Sequence, residues 1–239
     1  MKEKLTSLCL GLLLLTGFGV QAQESSEQDM RTPVDSAARS KYYISAHIAT
    51  QGVGLELKYA PTPAFAVRGG ASILPVKGDF VYSVGTQPTN VDFDVDFGNA
   101  HVMFDWHPFL AETSLSRKIV VTAGAGYFWK AEGDAVVSYK GTYKYGDILI
   151  PSDDLGQLTG TVKWNNVAPY LGFGFDHVFP RNKFNVGFAI GTYYLGKPDV
   201  TLTGSKMLAY NSENEAQFRE NMSHYRFMPV LQINFNFAL

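Results

Sequence analysis

Beyond residue 41 the chain consists of short segments in which apolar residues alternate one for one with small or polar ones. The last segment is the clearest. Leu231, Ile233, Phe235, Phe237 and Leu239 interleave with Val230, Gln232, Asn234, Asn236 and Ala238. A period of two marks a strand with one greasy face and one wet or hydrogen-bonded face. Earlier segments repeat it. Over 42–49, Ile44, Ala46 and Ile48 oppose Tyr43, Ser45 and His47; over 53–60, Val53, Leu55, Leu57 and Tyr59 oppose Gly54, Glu56, Lys58 and Ala60. Over 65–73, Phe65, Val67, Ala71 and Ile73 oppose Ala66, Arg68, Gly70 and Ser72; over 100–106, Val102, Phe104 and Trp106 oppose His101, Met103 and Asp105. Segments 118–130, 167–179 and 184–194 continue the series, with Thr122, Gly124, Gly126, Lys130, Tyr170, Gly172, Gly174, Asp176, Asn185, Gly187 and Gly191 on the polar side. The pattern predicts eight strands, an even number, as a single-chain antiparallel barrel needs.

The links fit that order. Ala60-Pro-Thr-Pro63, 108–117 and Pro180-Arg-Asn182 are short; 75–91, 131–166 and 203–224 are long. Short turns at one end and long loops at the other are the layout of a membrane barrel, with turns in the periplasm and loops outside. Thr50-Gln51-Gly52 is brief for an outer loop, so 42–60 is open to two readings: two strands, or one strand and a total of seven.

Alternation alone also fits a soluble barrel with an apolar interior. Side-chain size decides. The polar face carries many glycines beside Glu56, Lys58, Arg68, Asp105 and Asp176, and the other face carries Leu, Ile, Val, Phe, Tyr and Trp. An eight-stranded interior is only wide enough for side chains to fill it, so the bulky rows face lipid and the glycine rows face inward. Aromatics then form two belts: Tyr59, Phe65, Trp106, Phe109, Phe179 and Phe184 by the short turns, and Tyr127, Trp129, Tyr194 and Phe227 by the long loops.

Composition agrees: hydrophobic residues make up 46% and aromatics 14%, with 23 Gly and 13 Tyr. A net charge of −2 gives no support to a nucleic-acid role. The start of the chain reads as a secretory signal peptide over 1–22. Lys2 and Lys4 precede an apolar run from Leu5 to Val20, and Val20-Gln21-Ala22 supplies the small-residue cleavage site. Cys9 lies inside that run, so the remaining chain has no thiol for disulfides or metal ligation. Residues 23–41 are polar and aperiodic and read as a flexible lead-in; 42–239 form the barrel domain.

Candidate chemistry is sparse. Glu56, Lys58, Arg68, Asp105 and Asp176 reach one another across neighbouring strands, and buried charges must pair. They are read as a lumen charge network that closes the interior. His47, His101 and His107 also point inward, with Ser45 and Ser72 on the same face, but no spacing fixes a nucleophile beside a base. No enzymatic activity is expected, and neither a cofactor nor a resident metal. Asp92, Asp94 and Asp96 alternate on one strand face near the outer rim, either as a solvated acidic strip or as oxygen ligands for a hard cation. The parity of alternation changes between Phe97 and Val102, which predicts a β-bulge at Gly98-Asn99. Within 131–166, the stretch 135–145 is placed to extend the hairpin above the membrane, with Tyr139, Tyr143 and Tyr145 as a possible surface contact. Ser212 and Glu215 fit a capping box opening a short helix with Ala216, Phe218 and Met222, placed over the barrel mouth.

With the strands placed, the chain resembles small Gram-negative outer-membrane barrels of the OmpA, OmpX and OmpW type. The residues that carry the likeness are Gly52-Val-Gly-Leu-Glu-Leu57, Asp105-Trp-His-Pro-Phe109, Ala168-Pro-Tyr-Leu-Gly172 and the aromatic C-terminal strand, whose terminal Phe corresponds to Phe237. The likeness implies the outer membrane as location, with membrane lipid, lipopolysaccharide and the barrel assembly machinery as partners, and it implies no catalytic residues. The expected protein is a monomeric, all-β, eight-stranded up-and-down transmembrane barrel with a structural or surface-binding role. Passage of small hydrophobic molecules is the alternative, and lipid-modifying catalysis a further one.

Overall fold

The computed structural model describes residues 41–84, 87–109, 116–145, 147–176 and 183–239. The expected signal peptide, 1–22, and nearly all of the expected lead-in, 23–41, lie outside the described residues. Twelve strands are described: β1 (Tyr42–Ala49), β2 (Gly52–Tyr59), β3 (Phe65–Val84), β4 (Gln87–Trp106), β5 (Ile119–Tyr139), β6 (Thr142–Tyr145), β7 (Ile148–Pro151), β8 (Gln157–Lys163), β9 (Val167–Phe175), β10 (Phe184–Tyr194), β11 (Asp199–Gly204) and β12 (Phe227–Ala238). Eight of them close a ring in the order β1-β2-β3-β4-β5-β9-β10-β12, with every neighbour antiparallel and β12 returning to β1. The hydrogen-bond ladder therefore has no free edge within the ring, which is what a hydrocarbon surround demands.

The first hairpin is two strands. β1 and β2 pair from Tyr42↔Tyr59 to Ala49↔Gly52 around Thr50 and Gln51. Gly52 has φ +113°, and a Cβ there would run into the Ile73 carbonyl, so the turn needs glycine.

Side-chain direction follows the alternation. Leu55, Leu57, Val102, Phe104, Leu171 and Phe173 are exposed on the outer surface, Phe235 is half-buried there, and Ser45, Glu56, Arg68, His101, Asp105, Gln232, Asn234 and Asn236 are buried inside. An outer face of this kind is a lipid face. Tyr59, Phe65, Trp106 and Phe109 are exposed at the short-turn end and Tyr127, Trp129, Tyr194 and Phe227 at the other. Phe179 lies outside the described residues.

The reading of two long links as loops is corrected by the strands beyond the membrane. The links 75–91 and 131–166 are largely strand: β3 and β4 form one hairpin up to Val84↔Gln87, and β5 runs on to Tyr139. The upper half of β5 leaves the ring and pairs with β8, which pairs with β11. A five-stranded wall, β3-β4-β5-β8-β11, thus continues above part of the ring. Residues 75–91 keep a period of two without a lipid-facing row of large residues and so read as loop, whereas the expected extension of the hairpin over 135–145 is seen in β5 as far as Tyr139.

The bulge lies at the expected height but on the partner strand. β4 pairs without interruption to β3, whereas Gly98↔Lys130 is followed by Asn99↔Phe128, leaving Trp129 as the extra residue on β5. Phe97 therefore keeps the inward parity of Asn99 and His101. Lys130, expected inward, is turned outward, and Ala131 takes the inward position after the extra residue.

The helix is real but its cap differs. It spans Glu215–Met222 behind Asn214, with no side-chain capping bond, and Ser212 donates instead to the Ala209 carbonyl. Phe218 packs against Gly160 of the wall.

Candidate functional site: a filled lumen under an exterior wall

The inward rows of the ring make two layers. Nearer the short turns the layer is polar. Glu56, Lys58, Arg68 and Asp105 come from three adjacent strands, and Asp176 follows the end of β9 across the barrel. Arg68 sits at the centre: Nη1 donates to Glu56 Oε2 at 2.9 Å, Nη2 donates to Asp105 Oδ1 at 3.1 Å, and Nε lies 2.8 Å from Asp105 Oδ2. Lys58 pairs closely with Asp176 and lies 3.6 Å from Asp105 Oδ2. The five residues named from sequence are thus brought together.

The network extends further than the charges alone. Glu56 Oε1 faces His101 Nε2 at 3.1 Å and His47 Nδ1 at 3.4 Å, and accepts from Gln232 Nε2 at 2.9 Å. Thr122 donates to Asp105 at 2.8 Å, and His107 Nε2 lies 3.8 Å from Asp176. Ser45, Asn236 and Asn185 form a hydrogen-bonded chain, with Ser45 donating to Asn236 at 2.5 Å and Asn236 to Asn185 at 2.7 Å. Gln232 and Thr122 had a signal in sequence, since both lie on the polar parity of their strands. What sequence lacked was the stagger between strands that sets which of them meet.

Small residues make the room. A Cβ on Gly54 would lie 2.6 Å from His47 Nε2, and one on Gly70 would lie 2.6 Å from Glu56 Cγ. The space beside Gly54 and Gly70 is thus taken by His47 and Glu56 of the neighbouring strand, whereas at Gly174 a Cβ would run into the Phe188 carbonyl.

Nearer the long loops the layer is apolar. Phe97, Met103, Phe128, Ala131, Ala168, Tyr170, Tyr193, Leu195 and Val230 form one buried cluster, with Trp164 and Val95 against it. Phe128 meets Tyr193 edge-on at 5.2 Å and Phe97 edge-on at 6.3 Å. Such pairs add about 0.5–1.5 kcal/mol each beyond the area they bury. Tyr193 shares the parity of Gly191 and Gly187, and Phe128 that of Gly124 and Gly126, so both were legible in sequence.

Ser72 Oγ lies 2.8 Å from His47 Nε2, and His47 Nδ1 lies 3.4 Å from Glu56 Oε1. That order of serine, imidazole and carboxylate is the order of a nucleophilic triad. All three side chains are buried, and the Glu56 carboxylate is held by Arg68, His101 and Gln232. A nucleophile needs a substrate within reach, and Ser72 is 1% exposed.

The wall carries the remaining candidates. Asp92, Asp94 and Asp96 face outward on β4. Asp94 pairs with Lys77 at 2.6 Å and Asp96 with Lys130. The hydrogen bond and charge of Asp94 hold the exposed Lys77 ammonium above the ordinary lysine range. Among the described residues no group of His, Cys, Asp or Glu is arranged to hold a metal ion. Tyr139 and Tyr143 are half-buried against each other, ring centroids 5.5 Å apart. The Tyr145 backbone pairs with Ile148, and its side chain lies outside what is described.

No protein-family model matches the chain, and no curated protein matches it in sequence. Solved structures do. Acinetobacter baumannii CarO superposes with a TM-score of 0.58 at 22% identity, covering 84% of this chain and 98% of that one. Acinetobacter baumannii CarO2 gives 0.60 at 23%, covering 84% and 100%. At such identity the likeness is one of fold. It is the fold of small Gram-negative outer-membrane barrels.

Proposed function

We propose that the chain is a closed outer-membrane barrel with a structural or surface-binding role, carried by the wall and loops outside the membrane. One observation carries this reading. The space left among Lys58, Arg68, Asp105, Thr122, Asp176 and Asn234 is about 20 Å³, room for roughly one water. An aromatic layer lies above it. The interior charge network of Glu56, Lys58, Arg68, Asp105 and Asp176 then serves as a plug, and the outer rows contact lipid and the sugar-lipid leaflet. The assembly machinery is the partner during insertion, and the working form is a monomer without a cofactor. Planar-bilayer recording at low salt tests it: no discrete current steps are expected, and steps that scale with added protein overturn it.

Passage of small hydrophobic molecules is the second reading. The apolar upper layer favours it, because it lies behind the seam where β5 turns from β9 to β8 at Trp129. Release of an apolar dye from vesicles, faster with the barrel than without it, would establish this reading. Acyl chemistry at Ser72 is a third, and its burial argues against it. A serine-reactive lipid analogue is expected to leave Ser72 unlabelled.

A further inference from the structure

Every strand of the ring has two neighbours, but one interval at the outer rim is left unpaired. β9 pairs with β10 only from Phe175↔Phe188 up to Tyr170↔Tyr193, and pairing resumes between β8 and β11 at Lys163↔Asp199. Residues 164–169 and 194–198 face each other between these points without strand pairing. The seam lies at the outer aromatic belt, since Val167 pairs with Tyr127 on its other side and Tyr194 borders it. Backbone bonds on both flanks point away from it. The Trp164 N–H donates to the Ala131 carbonyl, the Phe128 N–H to the Asn166 carbonyl and the Leu195 N–H to the Arg226 carbonyl. Pro169, third in β9, has no N–H to give. The bond between Phe128 and Asn166 sets the alternation of the ladder, and it turns position 169 toward β10. Pro198 removes a donor from the facing segment. A bare N–H is costly beside hydrocarbon, and the two prolines take away donors that a seam would expose.

Little separates lipid from the apolar layer here. Outside the seam, Val167, Leu171 and Tyr194 are exposed on the lipid face, with Pro169 in the same row. Directly inside, Ala168, Tyr170, Tyr193 and Leu195 belong to the buried apolar cluster. Ala168 contributes only a methyl group, and Gly196, with φ +76°, no side chain at all. A side chain, not backbone, fills the gap: a Cβ on Gly196 would stand 2.5 Å from Asn165 Nδ2, so the Asn165 amide lies against Gly196. Asn165 is exposed, and Lys197 is exposed on the facing segment.

We infer that this seam is a lateral binding site for an acyl chain of an anionic outer-membrane lipid. Continuity with the lipid face carries the inference: the row of Val167, Pro169 and Leu171 meets the apolar cluster with no strand pairing between them. The chain lies in the gap between Pro169 and Tyr194, with its carbons against Ala168 and Leu195, in the place the Asn165 amide holds. Moving that amide aside breaks no backbone bond. Lys197 supplies the complementary charge at the same rim, where a basic side chain beside a membrane attracts a phosphate headgroup. The polar layer below stays shut, so the chain enters from the side and stops at the apolar layer. The site is one of binding. It shares that layer with the passage reading but does not need a molecule to cross the barrel.

The test places the full chain, folded, in lipid nanodiscs that carry a phosphatidylglycerol with a diazirine on its acyl chain. The phosphatidylcholine analogue is run in parallel. Irradiation and peptide mapping then read which side chains the acyl chain touches. Adducts are expected along the outward rows and also on Ala168 or Leu195, and on none of the inward residues of paired strands, such as Ser45 and Thr122. Adducts confined to the outward rows overturn the inference, and so do adducts on Ser45 and Thr122 as frequent as those on Ala168 and Leu195. Lys197→Glu, at an exposed position, is expected to lower inward labelling by phosphatidylglycerol about five-fold and to leave labelling by phosphatidylcholine unchanged. Equal inward labelling by the two lipids in the unmodified chain, or no loss in this variant, overturns the anionic assignment. Asn165→Ala clears the gap and is expected to raise inward labelling by both lipids; unchanged labelling argues that the amide is no cover and overturns the placement. The gel shift of the folded form checks that each variant is intact. Dye release reads passage separately. Inward labelling without release leaves this site standing and the passage reading fallen, and release without inward labelling does the reverse.

Discussion

Replacing Arg68 with alanine removes the guanidinium that bridges Glu56 and Asp105. The three side chains are buried, and Arg68 reaches one carboxylate at 2.9 Å and the other at 3.1 Å and 2.8 Å. Deleting one partner of a buried ion pair costs about 3–5 kcal/mol, because the other charge stays desolvated and uncompensated. Two carboxylates are orphaned here, but each keeps other partners. Glu56 retains His101 and Gln232, and Asp105 retains Thr122 and Lys58. The loss therefore falls at the low end, about 3 kcal/mol. A second effect follows from volume. The guanidinium borders the small space beside Asp105 and Asp176, so its removal joins that space to a larger, water-filled one. Urea titration of the barrel folded in lipid vesicles, followed by tryptophan fluorescence and by the gel shift of the folded form, reads the first effect; bilayer recording reads the second. Arg68→Lys keeps the charge without the fork and is expected between the two. A loss below about 1 kcal/mol for Arg68→Ala is what a water-exposed pair gives, and it would refute the view that this layer is dry.

Other substitutions test other parts. Gly126→Ala places a Cβ 2.9 Å from Tyr193 and 3.2 Å from Phe128; overpacking of that aromatic layer is expected to cost about 1–3 kcal/mol in the same titration. Val102→Arg puts a charge on the lipid face midway between the aromatic belts and is expected to cost about 2–4 kcal/mol; a neutral result would reverse the assignment of faces. Ser72→Ala removes the hydroxyl against His47 and is expected to cost about 1 kcal/mol with the fold intact. Lys77→Ala breaks an exposed pair with Asp94 and is expected to change stability by less than about 1 kcal/mol.

Much of the ring was legible because a lipid face and a narrow lumen impose opposite demands on successive residues. Ile44 and Leu55 are bulky where acyl chains lie, and Gly54 and Gly70 are small where His47 and Glu56 need room. Above the membrane that contrast weakens. Both faces of β4 from Val91 to Asp96 are partly wet, so its alternation of Val, Phe and Asp was visible but its membership of a continuous hairpin was not. The candidate site was legible as a set of inward residues, not as a set of contacts. Arg68, Asp105 and Glu56 meet because adjacent strands are staggered, and stagger is a property of ring closure.

The sequence by itself determined the strand period, the side of each strand that faces lipid and the identity of the charges turned inward, because each follows from residue size and polarity at a spacing of two. The tertiary structure alone decided which inward groups touch, which strand holds the bulge, how far β3, β4 and β5 run past the ring and where pairing around the ring lapses. Those outcomes depend on strand pairing and register between residues far apart in the chain, and no local pattern encodes them.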